Sequence, residues 1–153
     1  MGPHFTLRKI LAPVDFSDCS LAGVRYAARL AQRTGAVLRL LHVVFPHTEI
    51  LMLDRASGNL TTVARAAKIY ARARMKELAA MPFMQEVPFE VIIRTGAAVD
   101  EICRESERPD IDLIVTATHG FSGFKHALIG SVAEHVVRYA ECPVLTVPSR
   151  GAS

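Results

Sequence analysis

The sequence predicts an α/β fold: an open parallel sheet of five strands in the order 3-2-1-4-5, with helices on both faces. Three observations lead there. Short apolar runs alternate with longer runs of helical period, in the order β-α-β-α-β-α-β-α-β. The short runs are almost continuously apolar, as befits strands covered on both faces. Glycine and proline fall where the period changes. Right-handed crossovers then leave few topologies. In such a Rossmann-like sheet a ligand sits beyond the carboxyl ends of the strands, where the strand order reverses. The first and fourth strands, ending near Asp15 and Ala117, flank that point.

Each element has its own justification. Residues 10–14 form the first strand, an apolar run ended by Pro13, Asp15 and Ser17. Ser17 or Asp18 is placed to cap the next helix, because a short side-chain oxygen there accepts otherwise unpaired backbone N–H groups. Leu21, Val24, Ala27, Ala28, Leu30 and Ala31 recur at helical spacing, and Gly35 suits a left-handed C-cap. Residues 36–44 make the second strand, and 46–58 read as a long loop. Residues 60–81 form a helix whose Arg65, Lys68, Arg72 and Lys76 fall on one stripe. That stripe is read first as a solvated face and second as an anion-binding one. Pro82 closes it, and residues 89–93 are the third strand, ended by Gly96. Residues 97–107 form a short helix with Val99, Ile102 and Cys103 facing inward. Residues 111–117 are the fourth strand. Residues 131–139 form the last helix, with Val132, His135, Val136 and Tyr139 at helical spacing. Residues 142–147 close the sheet before Pro148.

At 153 residues, one domain spanning residues 1–153 is expected, with its core over about 8–148. Half of the chain is apolar, ample for a full core. The net charge of +3 and pI near 9.0 come without a Lys/Arg block or any Trp, which argues against nucleic-acid binding. Cys19, Cys103 and Cys142 lack C-x-x-C spacing and read as reduced thiols of a cytoplasmic protein. No apolar run approaches the roughly 18 residues of a membrane span. Gly2 formally fits a myristoylation pattern, but Pro3 and the lack of a second membrane signal argue against it. No membrane association is therefore expected.

Residues 118–132 carry the chemistry. Gly120, Gly123 and Gly130 permit close backbone approaches that a Cβ would block. Gly130 and Ser131 fall where a helix begins, and a helix N-terminus offers unpaired N–H groups and partial positive charge to an anion. Ser131 can cap that helix or donate to a phosphate, and Lys125 and His126 add positive charge nearby. Neither G-x-x-x-x-G-K-[ST] nor a G-x-G-x-x-G after the first strand is present.

Several stretches together resemble the universal stress protein family, over residues 9–147. Residues 10–17 (ILAPVDFS) look like that family's first strand and turn, and Leu41, His42 and Val43 like the end of its second strand. Thr118, His119 and Gly120, nine residues, then Gly130, Ser131, Val132, Ala133 and Glu134 look like its nucleotide loop. Residues 142–147 (CPVLTV) look like its closing strand. Members of the family that bind ATP carry G-x-x-G, nine residues, then G-[ST]; here Ala117 replaces the first glycine. The resemblance implies a ligand held by Pro13, Val14, Asp15, Val43, Ala117, His119, Gly120, Gly130, Ser131 and Val132. Asp15 would lie against the nucleoside, the Val43 backbone would read the adenine edge, and Gly120, Gly130, Ser131 and Val132 would hold phosphates. Asp15 can accept from a ribose hydroxyl but would repel phosphate.

The leading expectation is an adenine-nucleotide-binding protein of stress response or signalling, with ATP as ligand and Mg²⁺ carried on the phosphates. No general base stands out, so at most slow ATP hydrolysis is expected. The alternative is a dimeric interaction module of the same fold without nucleotide. The resemblance implies a homodimer through the closing strand, Val144, Leu145, Thr146 and Val147, whose apolar edge invites pairing. A weaker third reading is a hydrolase or transferase. Two of these residues have competing roles: Asp15 as a helix cap, and His42 as a hydrogen-bonded core or edge residue. A zinc site from His119, His126 and His135 fits no standard spacing. A triad from Asp15, His119 and Ser131 has no nucleophile elbow to support it.

Overall fold

The computed structural model describes residues 6–45, 60–118 and 130–148. Within them the elements run β1 (Lys9–Pro13), α1 (Asp18–Thr34), β2 (Val37–Val44), α2 (Leu60–Ala79), β3 (Phe89–Thr95), α3 (Ala98–Ser106), β4 (Leu113–Ala117), α4 (Ser131–Tyr139) and β5 (Val144–Val147). The sheet order is β3-β2-β1-β4-β5, and every pairing is parallel. The architecture is the one expected. A single 3₁₀ turn, Pro82–Met84, was not anticipated; it buries Met84 beneath α1. The expected loop at 46–58 lies outside the described residues.

Strand parity divides the core into two halves. On one face Ile10, Ala12, Leu38, Leu40 and Val115 pack against Val24, Ala27, Ala28 and Ala31 of α1 and Met75 and Leu78 of α2. On the other, Leu11, Leu41 and Ile114 pack against Ile102 of α3 and Val136 of α4. Helix α1 ends at Gly35, whose φ of 74° is the left-handed cap its sequence called for. The basic stripe of α2 (Arg65, Lys68, Arg72, Lys76) is exposed, as a solvated face would be.

Helix α4 departs from its expected pattern. Only Ala133 and Val136 of its residues are buried, whereas Val132, His135 and Tyr139 are exposed. A helix of 9 residues lying on one sheet face buries a narrow stripe, and Val132 falls off that stripe. Helix α3 differs in another way. Glu101 and Glu105 are buried alongside Ile102.

The carboxylates are buried because cations meet them. Arg39, in the middle of β2, reaches Glu105 of α3 and binds Glu90 of β3 through Nη2 at 2.7 Å. Arg94 and Arg108 also approach Glu105, at 3.4 and 3.3 Å. Lys9 joins Glu90 at 2.8 Å to Asp110 at 2.9 Å. Asp112 accepts from the backbone N–H groups of Arg8 and Lys9. The network therefore ties three strands, one helix and the turn before β4 into one unit. Burying one unpaired charge costs several kcal/mol, so the network holds only as a set.

The hydrogen-bonded Lys9 ammonium lowers the Glu90 carboxyl from its ordinary value and brings Asp110 to about 2. Carboxyl groups with depressed folded values contribute stability above their unfolded values and lose it as pH falls through the folded ones. The urea midpoint should therefore fall between about pH 4.5 and pH 2. Lys9→Met should flatten that decline, and an unchanged slope in the variant would remove Lys9 from the account.

Candidate functional site

The turn after β1 is shaped by local hydrogen bonds. Asp15 Oδ1 accepts from the Ser17 N–H at 3.0 Å and the Ser17 hydroxyl at 2.5 Å. Ser17 Oγ in turn accepts from the Ser20 N–H at 3.1 Å, making Ser17 the N-cap of α1. Asp15 thus acts one step behind the cap: it orients the capping residue. The Ser20 hydroxyl donates to the Ser17 carbonyl and accepts the Asp15 N–H. Between them Phe16 is held at φ 64°, a left-handed conformation that costs a side-chain-bearing residue about 1–2 kcal/mol. Its ring lies 4.5 Å from that of His42 and under the Arg74 guanidinium at 5.4 Å. His42 Nδ1 donates to the Val14 carbonyl at 2.8 Å, so it is a hydrogen-bonded partner of the turn.

β1 stops while β2 runs on. The Val14 N–H donates to Leu41 O at 2.9 Å, the last bond between the two strands. Backbone groups alternate sides along a strand, so Val43 turns its N–H and C=O the same way as Leu41, toward the space β1 has left. On the far side of β1, the Thr118 N–H donates to Val147 O at 3.0 Å and the Gly130 N–H to Thr118 O at 2.5 Å. That second bond pins both ends of the 119–129 segment together. Gly130, at φ −69° and ψ 153°, is the N-cap of α4 and brings no side-chain cap. Ser131 was expected as a possible cap; it is instead the first helical residue. The first N–H groups of α4 therefore have no intrahelical acceptor.

These ends line a cavity of about 250 Å³, just below the usual range for small-molecule sites, about 300–1,000 Å³. The strands supply Pro13, Leu41, Val43, Thr116 and Ala117. The β1–α1 turn gives Val14, Asp15 and Ser20. Helix α3 contributes Ala98 and Ile102, and Thr118 with Gly130, Ser131, Val132 and Ala133 completes the wall. Eight residues singled out from sequence thus line one space: Pro13, Val14, Asp15, Val43, Ala117, Gly130, Ser131 and Val132. His119 and Gly120 lie outside the described residues. So do His126 and the middle of the Asp15, His119, Ser131 set. The site residues expected from sequence did not include Ser20, Leu41, Ala98, Ile102, Thr116, Thr118 and Ala133, which also line the cavity. Parity gave a signal for two of them: Leu41 alternates with Val43, and Thr116 alternates with Ile114, whose face turns toward α3 and α4.

Ala117, the residue standing where the family motif has glycine, has an ordinary negative-φ backbone, since it is not among the positive-φ residues. Space for it comes from Gly23 on α1. A Cβ built at Gly23 would sit 3.1 Å from the Ala117 amide nitrogen and 3.6 Å from the Ala117 methyl. Helix α1 and the end of β4 therefore touch backbone to backbone.

Comparison with known proteins agrees with this architecture. The model of the universal stress protein family matches residues 6–148. Universal stress protein MJ0531 of Methanocaldococcus jannaschii is 31% identical over 140 residues, covering 92% of this chain and 81% of the relative. The solved structure of universal stress protein UspA from Lactobacillus plantarum is 31% identical with a TM-score of 0.71, covering 94% of this chain and 99% of that one. A universal stress protein solved in complex with cAMP is 26% identical with a TM-score of 0.60, covering 94% and 98%. The chain belongs to the universal stress protein family.

The Gly23 contact yields a test. Gly23→Val should destabilise the fold by about 1–3 kcal/mol through overpacking against the backbone of β4. Urea denaturation reads this directly, and a variant as stable as the parent would show that α1 can lift away freely.

Proposed function

We propose that this chain, as a member of the universal stress protein family, holds an adenine nucleotide, ATP first, in the cavity at the fork between β1 and β4. The observation that carries the reading is the convergence on that cavity of an uncapped helix N-terminus and an open strand backbone. The N-terminus of α4, begun by Gly130, suits phosphate oxygens. The Val43 N–H and C=O suit the donor and acceptor edge of adenine, which differs from that of guanine. Pro13, Val14, Leu41 and Ile102 supply apolar contact for the base. Asp15 stands at the turn, where it serves a ribose hydroxyl. Ser131 and Val132 complete the phosphate end, and the family resemblance assigns Gly120 and His119 to it as well. The relative solved with cAMP supports the nucleotide class.

Nucleotide binding here sets conformation and partners in stress response or signalling, with no fast chemistry. Among the described residues no group of three or more His, Cys, Asp or Glu is arranged to hold a metal. Mg²⁺ therefore arrives on the phosphates, which supply its first ligands. The proposed compartment is the cytoplasm, in keeping with the free thiols of Cys19, Cys103 and Cys142. No helix among the described residues is long and apolar enough to cross a membrane.

A homodimer through β5 goes with this reading. β5 is an edge strand, bonded to β4 alone, and Val144, Leu145, Thr146 and Val147 are all half-buried. The same strand supports the second reading, a dimeric interaction module without nucleotide.

Mass spectrometry of small molecules released on denaturation, with ATP titration calorimetry, separates the two. Micromolar affinity, about −8 kcal/mol, is the expected result. No released nucleotide and no heat with ATP would leave the interaction module standing. Gly130→Val should weaken ATP at least about tenfold by pushing a side chain into the phosphate end, while the sedimentation coefficient stays dimeric. Val144→Lys, with its circular dichroism retained, should shift sedimentation toward monomer; an intact dimer would place the interface elsewhere.

A further inference from the structure

The cavity wall contributed by β4 carries a polar side chain, that of Thr116. Thr116 is 8% exposed and lines the cavity. It shares the sheet face of Ile114, which packs under α3 and α4. Among the described residues the one hydrogen bond recorded for its hydroxyl is to the carbonyl of the next residue, Ala117, at 3.5 Å. Hydroxyl bonds normally span about 2.5–3.0 Å, so this contact is poor. A buried hydroxyl without a good partner is costly, and natural cores rarely keep one without a use. Valine has the same shape and would fill this place without the cost.

We infer that the Thr116 hydroxyl hydrogen-bonds the nucleoside part of the ligand and so contributes to its selection. The inference rests on the nucleotide reading above. Its surroundings decide which part of the ligand it meets. Pro13 and Leu41 reach the cavity from the same face of the sheet and Ile102 lines it from α3, apolar groups among which a charged phosphate would be poorly solvated. A neutral nucleoside is suited to that setting. The phosphates belong at Gly130 and Ser131, where helix N–H groups are free to meet them. The hydroxyl can donate or accept, so a nucleoside nitrogen, amino group or sugar hydroxyl can pair with it.

The test measures three proteins, the parent, Thr116→Val and Thr116→Ser, against both ATP and adenosine, and records the thermal midpoint of each without ligand. Thr116→Val should weaken ATP and adenosine alike, by about 5- to 10-fold. Thr116→Ser should stay within about twofold of the parent, because it keeps the hydroxyl. The ligand-free Thr116→Val protein should melt no lower than the parent. Equal affinity in the valine variant overturns the inference and leaves nucleotide binding intact. A loss with ATP alone also overturns it, since the partner would then be a phosphate. A lowered midpoint without ligand shows that the hydroxyl already has an internal partner, with the same consequence. A parent protein that binds neither compound sinks the nucleotide reading itself, and this inference with it.

Discussion

The arrangement depends on one topological constraint. β1 is bonded to β2 on one side and β4 on the other, and the chain leaves these two neighbours toward opposite faces. After β1 it passes to α1 on the face of Ile10 and Leu40. After β4 it passes to α4 on the face of Leu11 and Ile114. These departures to opposite faces leave a crevice between the two strand ends, set by the path of the chain. Everything that faces the cavity does so because of this fork. β1 ends early, which uncovers Val43. α4 begins at the gap, which directs its unpaired N–H groups into it.

The crevice keeps its shape because the two faces are braced differently. The α1 face is held by small residues at close range, with Gly23 lying against the backbone of Ala117. The α3 face is held by charge, through Arg39, Glu90, Glu105 and Lys9. Close packing resists compression, whereas an ion network resists separation but tolerates small shifts. The wall of the cavity formed by Ala98 and Ile102 belongs to the second kind. It is the side on which a ligand of variable size is more easily accommodated.

Much of this was legible in the sequence. Continuous apolar runs revealed a sheet buried on both faces, and the caps at Ser17 and Gly35 fell where their side chains and backbone freedom required. The alternation of elements together with the handedness rule left few strand orders, the observed one among them. The spacing from Gly120 to Gly130 and Ser131 pointed to the loop, and its described ends, Thr118 and Gly130 with Ser131 and Val132, lie on the cavity. What escaped was information carried by pairs distant in sequence. Arg39 sits in a run that reads as apolar, and nothing local shows that Glu90 and Glu105 come to meet it. Glu101 and Glu105 look like the solvent side of α3 because their cations belong to other elements or to their own side chain's neighbours. Val132 and Tyr139 fit a helical period, yet α4 meets too little sheet to bury them. Thr116 looked like one more strand residue, because a threonine suits a strand whether or not its hydroxyl is used.

Phe16 carries a different lesson. Its left-handed backbone would suit glycine, but its ring is what His42 and Arg74 face. The turn beside Asp15 is therefore specified jointly by three side chains from the turn, β2 and α2. Exchanging Phe16 for glycine relaxes the backbone and strips the other two of their contact, so the effect of a change at any one position depends on what occupies the others. These three positions form an epistatic unit. A change in the shape of this turn therefore calls for matched substitutions at residues that do not themselves line the cavity.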